Sequence, residues 1–152
     1  MPASATTDWQ RLCGLARERR DACAQRLGET NAGARAAQEK LEMLLAYQRD
    51  YNGRMSDAGA GGIAAERLQN FRRFMQQLER AVEQQRAVAK LAQDRVDDAQ
   101  LALRVAQRSV ESFAVLVDRH RAATAVRERR DEQKQQDEYA TRPLPRFLSG
   151  AN

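Results

Sequence analysis

The sequence predicts an all-α protein in which two long helices pair as an antiparallel coiled-coil hairpin. Its 152 residues include 42% hydrophobic residues, 31% charged residues and only eight aromatic side chains, a composition typical of long helices. Proline, the strongest helix breaker, occurs only at Pro2, Pro143 and Pro145. Apolar residues recur in alternating steps of three and four along two stretches, which is the pattern of a coiled-coil seam.

The first helix is predicted over residues 8–55. Alternating steps of four and three from Trp9 define fourteen positions, and eleven of them are apolar. We expect these positions to face the partner helix. They are Trp9, Cys13, Ala16, Arg20, Cys23, Leu27, Thr30, Ala34, Ala37, Leu41, Leu44, Gln48, Tyr51 and Met55.

A hinge is predicted at residues 56–62. Three of the eight glycines of the chain lie between residues 59 and 62, where their backbone freedom permits a reversal. The pair Asn52-Gly53 is an earlier turn signal, but the seam continues to Met55 and favours the later hinge.

The second helix is predicted over residues 63–140, which makes it the longer one. Its seam has seventeen positions, fourteen of them apolar. The prolines that follow Arg142 end the helix, and residues 141–152 are predicted to form a disordered C-terminal tail. The seam positions are Leu68, Phe71, Met75, Leu78, Val82, Gln85, Ala89, Ala92, Val96, Ala99, Leu103, Ala106, Val110, Phe113, Val117, His120 and Thr124.

Two amphipathic helices joined by a short loop are expected to fold back on each other within a single domain, residues 1–152. A reversal centred near residues 59–60 places Trp9 opposite about Val110. The paired section would be roughly 70 Å long. Residues 111–140 would then have no partner within the chain, so we expect another protein to cover them.

Catalytic chemistry is not predicted. The single histidine, His120, lies on the second seam, where a partly buried structural role is expected. The glycines at 59–62 precede no Gly-Lys-Ser/Thr sequence, so they do not form a phosphate-binding loop. Acidic pairs such as Asp97-Asp98 lie among arginines and are expected to form ion pairs along the helix. We therefore expect no enzyme activity, cofactor or metal.

Basic character raises the alternative of nucleic-acid binding, since the net charge is +5. Five arginines lie between residues 104 and 127, but acidic residues alternate with basic ones along both helices. Phe113 is the only aromatic residue in that stretch that could stack on a base. A solvated or partner-facing charged surface is therefore the favoured interpretation.

The sequence also predicts a cytosolic protein. Its longest apolar runs are far shorter than the roughly 20 residues that cross a bilayer, and the N-terminus lacks the basic and apolar segments of a secretory signal. Cys13 and Cys23 match neither a zinc-site spacing nor a disulfide framework. We expect both to be small buried residues in a reducing compartment.

Four aromatic residues are predicted to gather near the hinge. Tyr51 and Phe71 lie on the two seams, whereas Tyr47 and Phe74 lie on the flanks. Grouped flank aromatics indicate a docking site. The alternative is that they only cover the end of a thin coiled coil.

The residues around the hinge resemble those of the flagellar export protein FliJ family. The same similarity extends to chain length and to the segment 131–138. It rests on the run Leu41-Glu42-Met43-Leu44-Leu45-Ala46-Tyr47-Gln48-Arg49-Asp50-Tyr51, then Gly62-Ile63, Arg67, Asn70, Phe74, Leu78-Glu79-Arg80-Ala81 and Gln84.

The resemblance implies a soluble, stalk-like component of the flagellar type III export apparatus. Family members insert the end of a two-helix coiled coil into the hexameric export ATPase FliI and promote its activity. They also bind the membrane export-gate protein FlhA and the escort chaperones of minor filament subunits. The chain would then be cytoplasmic, peripherally associated with the inner face of the cell membrane through protein partners, without binding nucleic acid.

The family's gate-binding surface corresponds here to six matching residues. Lys40 and Gln85 differ, since relatives can have glutamine and histidine at these positions. The resemblance assigns no particular residues to ATPase binding. The matching residues are Leu44, Tyr47, Tyr51, Phe74, Leu78 and Ala81.

Two alternative functions stay open at the level of the sequence. One is the equivalent stalk protein of a virulence type III secretion injectisome, which shares the coiled-coil design, although the Tyr47 and Tyr51 motif favours the flagellar system. The other is a basic coiled coil that binds nucleic acid.

Overall fold

A computed structural model describes residues 2–143 of the chain. Helix α1 spans Pro2–Gly59 and helix α2 spans Ala65–Thr141. The second helix is the longer one, with 77 residues against 58. The described part of the chain contains no strand. The prediction of two long helices is confirmed, whereas most of the predicted disordered tail, residues 144–152, lies outside the described residues.

Helix α1 extends beyond its predicted bounds at both ends, whereas α2 begins two residues later and ends one residue later than predicted. Helix α1 begins six residues before the predicted start at residue 8, because proline is tolerated in a first helical turn. It also continues to Gly59, four residues past the predicted end. The hinge is therefore confined to residues 60–64, instead of 56–62, and α2 begins at Ala65 instead of residue 63.

The reversal uses the backbone freedom of glycine at one position. Gly62 has a φ of 84°, and it is the only described residue with a positive φ. A side chain is disfavoured in this left-handed conformation. The amides of Gly61 and Gly62 donate to the carbonyls of Ala58 and Gly59 at 3.2 and 3.4 Å. These bonds satisfy two carbonyls at the end of α1.

The chain divides into two compact units. The hairpin unit is Glu18–Arg108, and the terminal unit is Met1–Arg17 with Ser109–Asn152. In the hairpin unit the helices pack antiparallel, with Gln85 bonded to Ala37 and Tyr51 stacked on Phe71. The residue numbers of each contacting pair average 61, so the chain reverses around residue 61. The predicted centre near 59–60 was thus slightly wrong, because α1 continues further before the chain turns.

The buried residues of both helices follow the predicted seams. All fourteen positions of the first seam are buried or half-buried, and so are all positions of the second seam except Leu68, which is 36% exposed. Val82 and Val96 are among the most buried, at 5% and 3% exposure. Cys13 and Cys23 are free thiols, buried and half-buried respectively. The predicted seams are therefore the interhelical core of each unit.

In the terminal unit the paired region is longer than predicted. Trp9 contacts Phe113, with ring centroids 6.5 Å apart, instead of lying opposite Val110. Val117 is 7% exposed, so the prediction that pairing ends near residue 111 was wrong. The earlier start of α1 and the shifted centre of the reversal explain the difference. Residues 125–143 are all exposed, and they form what we call the free end of α2.

Gln85 is a polar residue in the core of the hairpin unit. It is 7% exposed, and its Nε2 donates to the backbone carbonyl of Ala37 at 2.9 Å. That carbonyl also has its own partner within α1, so it keeps a hydrogen bond without Gln85. Gln85→Leu should therefore leave the free energy of unfolding unchanged or raise it by about 1 kcal/mol.

Urea unfolding monitored by circular dichroism tests this prediction. Gln84→Leu, at the exposed neighbouring position, is the control for an added leucine. A loss of more than about 1 kcal/mol in Gln85→Leu alone would mean that the hydrogen bond stabilises the pair.

Candidate functional site

Four aromatic side chains form one continuous group in the hairpin unit, which we call the aromatic cluster. Tyr51 stacks on Phe71, with centroids 5.3 Å apart and planes 9° apart, and meets Phe74 at 4.5 Å. Tyr47 meets Phe74 at 6.3 Å. The two tyrosines are one helical turn apart on α1, and the two phenylalanines are three residues apart on α2, so each pair shares a helix face.

The cluster has a buried side and an exposed side. Tyr51, Phe71 and Phe74 are half-buried, whereas Tyr47 is 54% exposed. No hydrogen bond to the Tyr47 hydroxyl occurs within residues 2–143, so this group is available to a partner. An aromatic ring that combines an apolar body with a free hydroxyl is a frequent anchor in protein interfaces.

The other residues of the predicted gate-binding surface lie on the same two helices but differ in accessibility. Leu44 and Ala81 are half-buried. Leu78 is only 7% exposed and belongs to the core. The structure thus brings Tyr47, Tyr51 and Phe74 into direct contact, while Leu78 offers little surface to a partner.

A concave region of about 450 Å³ lies beside the cluster at the hinge. Tyr51 and Phe71 form part of its wall, and Ile63 of the hinge lies half-buried against it. Met43 is another apolar residue near the cluster, 66% exposed and one turn before Tyr47. Neither Ile63 nor Met43 was predicted to be a site residue. Met43 lies four residues before Tyr47, and this spacing places both on the same face of a helix, so Met43 could have been predicted from the sequence.

Several charged side chains lie close to the cluster in the sequence. Arg54 pairs with Asp50 at 3.3 Å on the exposed surface of α1, a contact of little energetic consequence. Arg67 lines the concave region, and Arg72 and Arg73 are exposed on α2. Arg67 thus places a positive charge beside the apolar centre of the site, which favours an acidic side chain in a partner.

The histidine, cysteine and carboxylate side chains of residues 2–143 do not form a metal site. His120 is half-buried on the seam of the terminal unit, and its Nε2 has no hydrogen-bond partner within residues 2–143. No group of three or more His, Cys, Asp or Glu side chains is placed to hold a metal ion in this range. Neither helix, over its described residues, is apolar enough to span a bilayer.

The fold and the site together define a helical coiled-coil protein with a partly exposed aromatic cluster. A profile of the flagellar FliJ protein family matches residues 8–146. The chain is 36% identical to the flagellar FliJ protein of Salmonella typhi over 135 residues, which cover 89% of this chain and 92% of the relative. It is 32% identical to that of Escherichia coli strain K12 with the same coverage. The chain belongs to the flagellar FliJ protein family.

Proposed function

We propose that this chain is a component of the flagellar type III protein export apparatus that binds other proteins through two separate surfaces. The observation that supports this most is the exposed Tyr47 in the aromatic cluster of a FliJ-family chain. Both matched relatives are named flagellar, which favours the flagellar system over a virulence injectisome. In this role the protein acts by binding and not by catalysis.

The first surface is the aromatic cluster, and its proposed partner is the membrane export-gate protein FlhA. Tyr47, Tyr51 and Phe74 would make the contact, with Leu44 and Ala81 beside them and Leu78 packed beneath. Binding through this surface would place the protein at the inner face of the cell membrane by protein contacts alone.

The second surface is the free end of α2, and its proposed partner is the hexameric export ATPase FliI. Residues 125–143 are exposed on all sides, with five basic and five acidic side chains among them. A single asymmetric helix end cannot contact six equivalent subunits alike, so it would favour particular nucleotide states in some of them. In the proposal the protein also assists escort chaperones of minor filament subunits.

The ATPase role predicts that a chain ending after Thr124 loses most of the stimulation of FliI. The steady-state rate of ATP hydrolysis by purified FliI should return to that of FliI alone when the truncated chain is added. The cut leaves the contact between Trp9 and Phe113 intact, so the remaining helices should still pair. Circular dichroism checks that they do.

Tyr47→Ala is the control for this measurement, because the aromatic cluster belongs to the hairpin unit. This variant should stimulate FliI like the unmodified protein. Full stimulation by the truncated chain would contradict the role of the free end.

A further inference from the structure

Five exposed apolar residues of the hairpin unit lie on one face. Met43, Tyr47, Val88, Leu91 and Val105 are each between 47% and 66% exposed. Each of them immediately precedes a seam position. In an antiparallel pair of helices, the flanks that precede the two seams lie on the same side. The contact between Tyr47 and Phe74 joins these flanks at one point of the face.

On this face the two helices enclose a groove of about 400 Å³, which we call the central groove. Small residues line part of it, namely Gly33 and Ala37 of α1 and Ala92 of α2. Val88 and Leu91 form an apolar wall, and they are 47% and 54% exposed. Two helices that present small side chains at their junction leave room for a third helix to approach.

A second concave region of about 430 Å³ continues the central groove along the same face. The two regions share Thr30 and Arg95. From Val88 to Ala102 they extend over fifteen residues of α2, a rise of about 21 Å, which corresponds to about four turns of a bound helix. The combined groove therefore matches the length of an ordinary helix.

The charges at this end of the groove are predominantly positive. Arg19, Arg26 and Arg95 line it together with Glu29 and Asp98. None of the three guanidinium groups forms an ion pair within residues 2–143. An acidic side chain of a partner could pair with these arginines without displacing an existing partner.

The opposite face of the hairpin unit provides a natural comparison. Its concave region is lined by Arg35, Arg86 and Lys90, each of which immediately follows a seam position. The opposite face thus also has three basic side chains. However, it is flanked by Gln38 and Gln93, whereas the central groove is flanked by the exposed Val88 and Leu91. Of these two faces, the one with the central groove combines an apolar wall with arginines that form no ion pair within residues 2–143.

We infer that the central groove and its arginine-lined continuation bind an acidic amphipathic helix of a protein partner. Leucine-type side chains of that helix would cover Val88 and Leu91, and its carboxylates would pair with Arg19, Arg26 and Arg95. This surface is distinct from the aromatic cluster and from the free end of α2, so the inference does not depend on the proposed partners of those two surfaces.

The test uses the full-length protein and a synthetic helical peptide of about 18 residues, with leucines on one face and glutamates on its flanks. Fluorescence anisotropy of the labelled peptide gives the dissociation constant. Two comparison peptides carry lysine in place of glutamate or the same composition in scrambled order. We expect the acidic peptide to bind at least about tenfold more tightly than either.

Two pairs of matched variants locate the binding site. Leu91→Ser should weaken binding about tenfold, whereas Leu101→Ser, at a leucine of similar exposure on another face, should not. The triple variant Arg19→Glu, Arg26→Glu and Arg95→Glu should also weaken it about tenfold. The triple variant Arg35→Glu, Arg86→Glu and Lys90→Glu changes the net charge equally on the opposite face and should have little effect.

Several results would overturn the inference. Equal weakening by both triple variants would show non-specific attraction, and equal binding of the scrambled peptide would show that no helix face is recognised. Anionic vesicles of phosphatidylglycerol serve as a further probe. Vesicle binding that is tighter than peptide binding and is lost in Leu91→Ser would assign the groove to a lipid surface instead.

Discussion

Replacing Tyr47 with alanine is expected to weaken binding to the export-gate protein FlhA by about thirtyfold. This corresponds to about 2 kcal/mol, the value typical of an aromatic anchor at the centre of an interface. Tyr47 is 54% exposed and its ring contacts that of Phe74, so its removal should cost little folding stability. The measurement is surface plasmon resonance with FlhA reconstituted in nanodiscs.

Tyr139→Ala is the matched control, because Tyr139 is another exposed tyrosine, 79% accessible, in the free end of α2. It should bind the gate protein normally. Tyr51→Ala gives a different contrast, since Tyr51 packs on both Phe71 and Phe74 and its loss should lower the free energy of unfolding by about 2 kcal/mol. Unchanged gate binding by Tyr47→Ala would refute the assignment of the aromatic cluster to FlhA.

Val96→Asp is expected to have the largest effect on stability. Val96 is 3% exposed in the core of the hairpin unit, and a carboxylate there would lose its hydration without gaining a partner. We expect a loss of about 3 kcal/mol in the free energy of unfolding, visible as a lower midpoint of urea unfolding.

Val105→Asp provides the comparison, because Val105 is 55% exposed in the same unit. The same chemical change at this position should alter stability by less than about 0.5 kcal/mol. Similar losses in the two variants would mean that the seam does not carry the packing energy of the hairpin unit.

The buried positions of the fold could be predicted from the sequence because they depend only on periodicity. A coiled-coil seam repeats every 3.5 residues whatever the ends of the helices do. Even polar members of the seams such as Gln48 and Thr30 are half-buried. Gln85 is buried, and its amide donates a hydrogen bond to the carbonyl of Ala37.

The ends of the helices could not be predicted as well, because they depend on local signals that compete. Ser56 and Asp57 are typical of turns, yet they continue α1 up to Gly59. This extension moved the centre of the hairpin, and with it the partner of Trp9 and the start of the free end. A small error in the predicted position of the turn therefore changes which residues are predicted to face each other in the paired helices.

The candidate site was partly predictable for the same reason. Tyr47 and Phe74 were identified as flank residues by periodicity, and they contact each other as expected. Periodicity alone could not predict how little of Leu78 is exposed or that a concave region lies beside Ile63. Both depend on how the two helices and the hinge pack against one another.

The pairing of Trp9 with Phe113 gives the protein an internal optical reporter. Trp9 is the only tryptophan in the sequence, and it lies half-buried in the terminal unit. Indole emission shifts with the polarity of its surroundings, so separation of these two rings would move the spectrum to longer wavelengths. Because tyrosine is not excited at 295 nm, opening of this unit during assembly with a tryptophan-free partner could be followed without any attached dye.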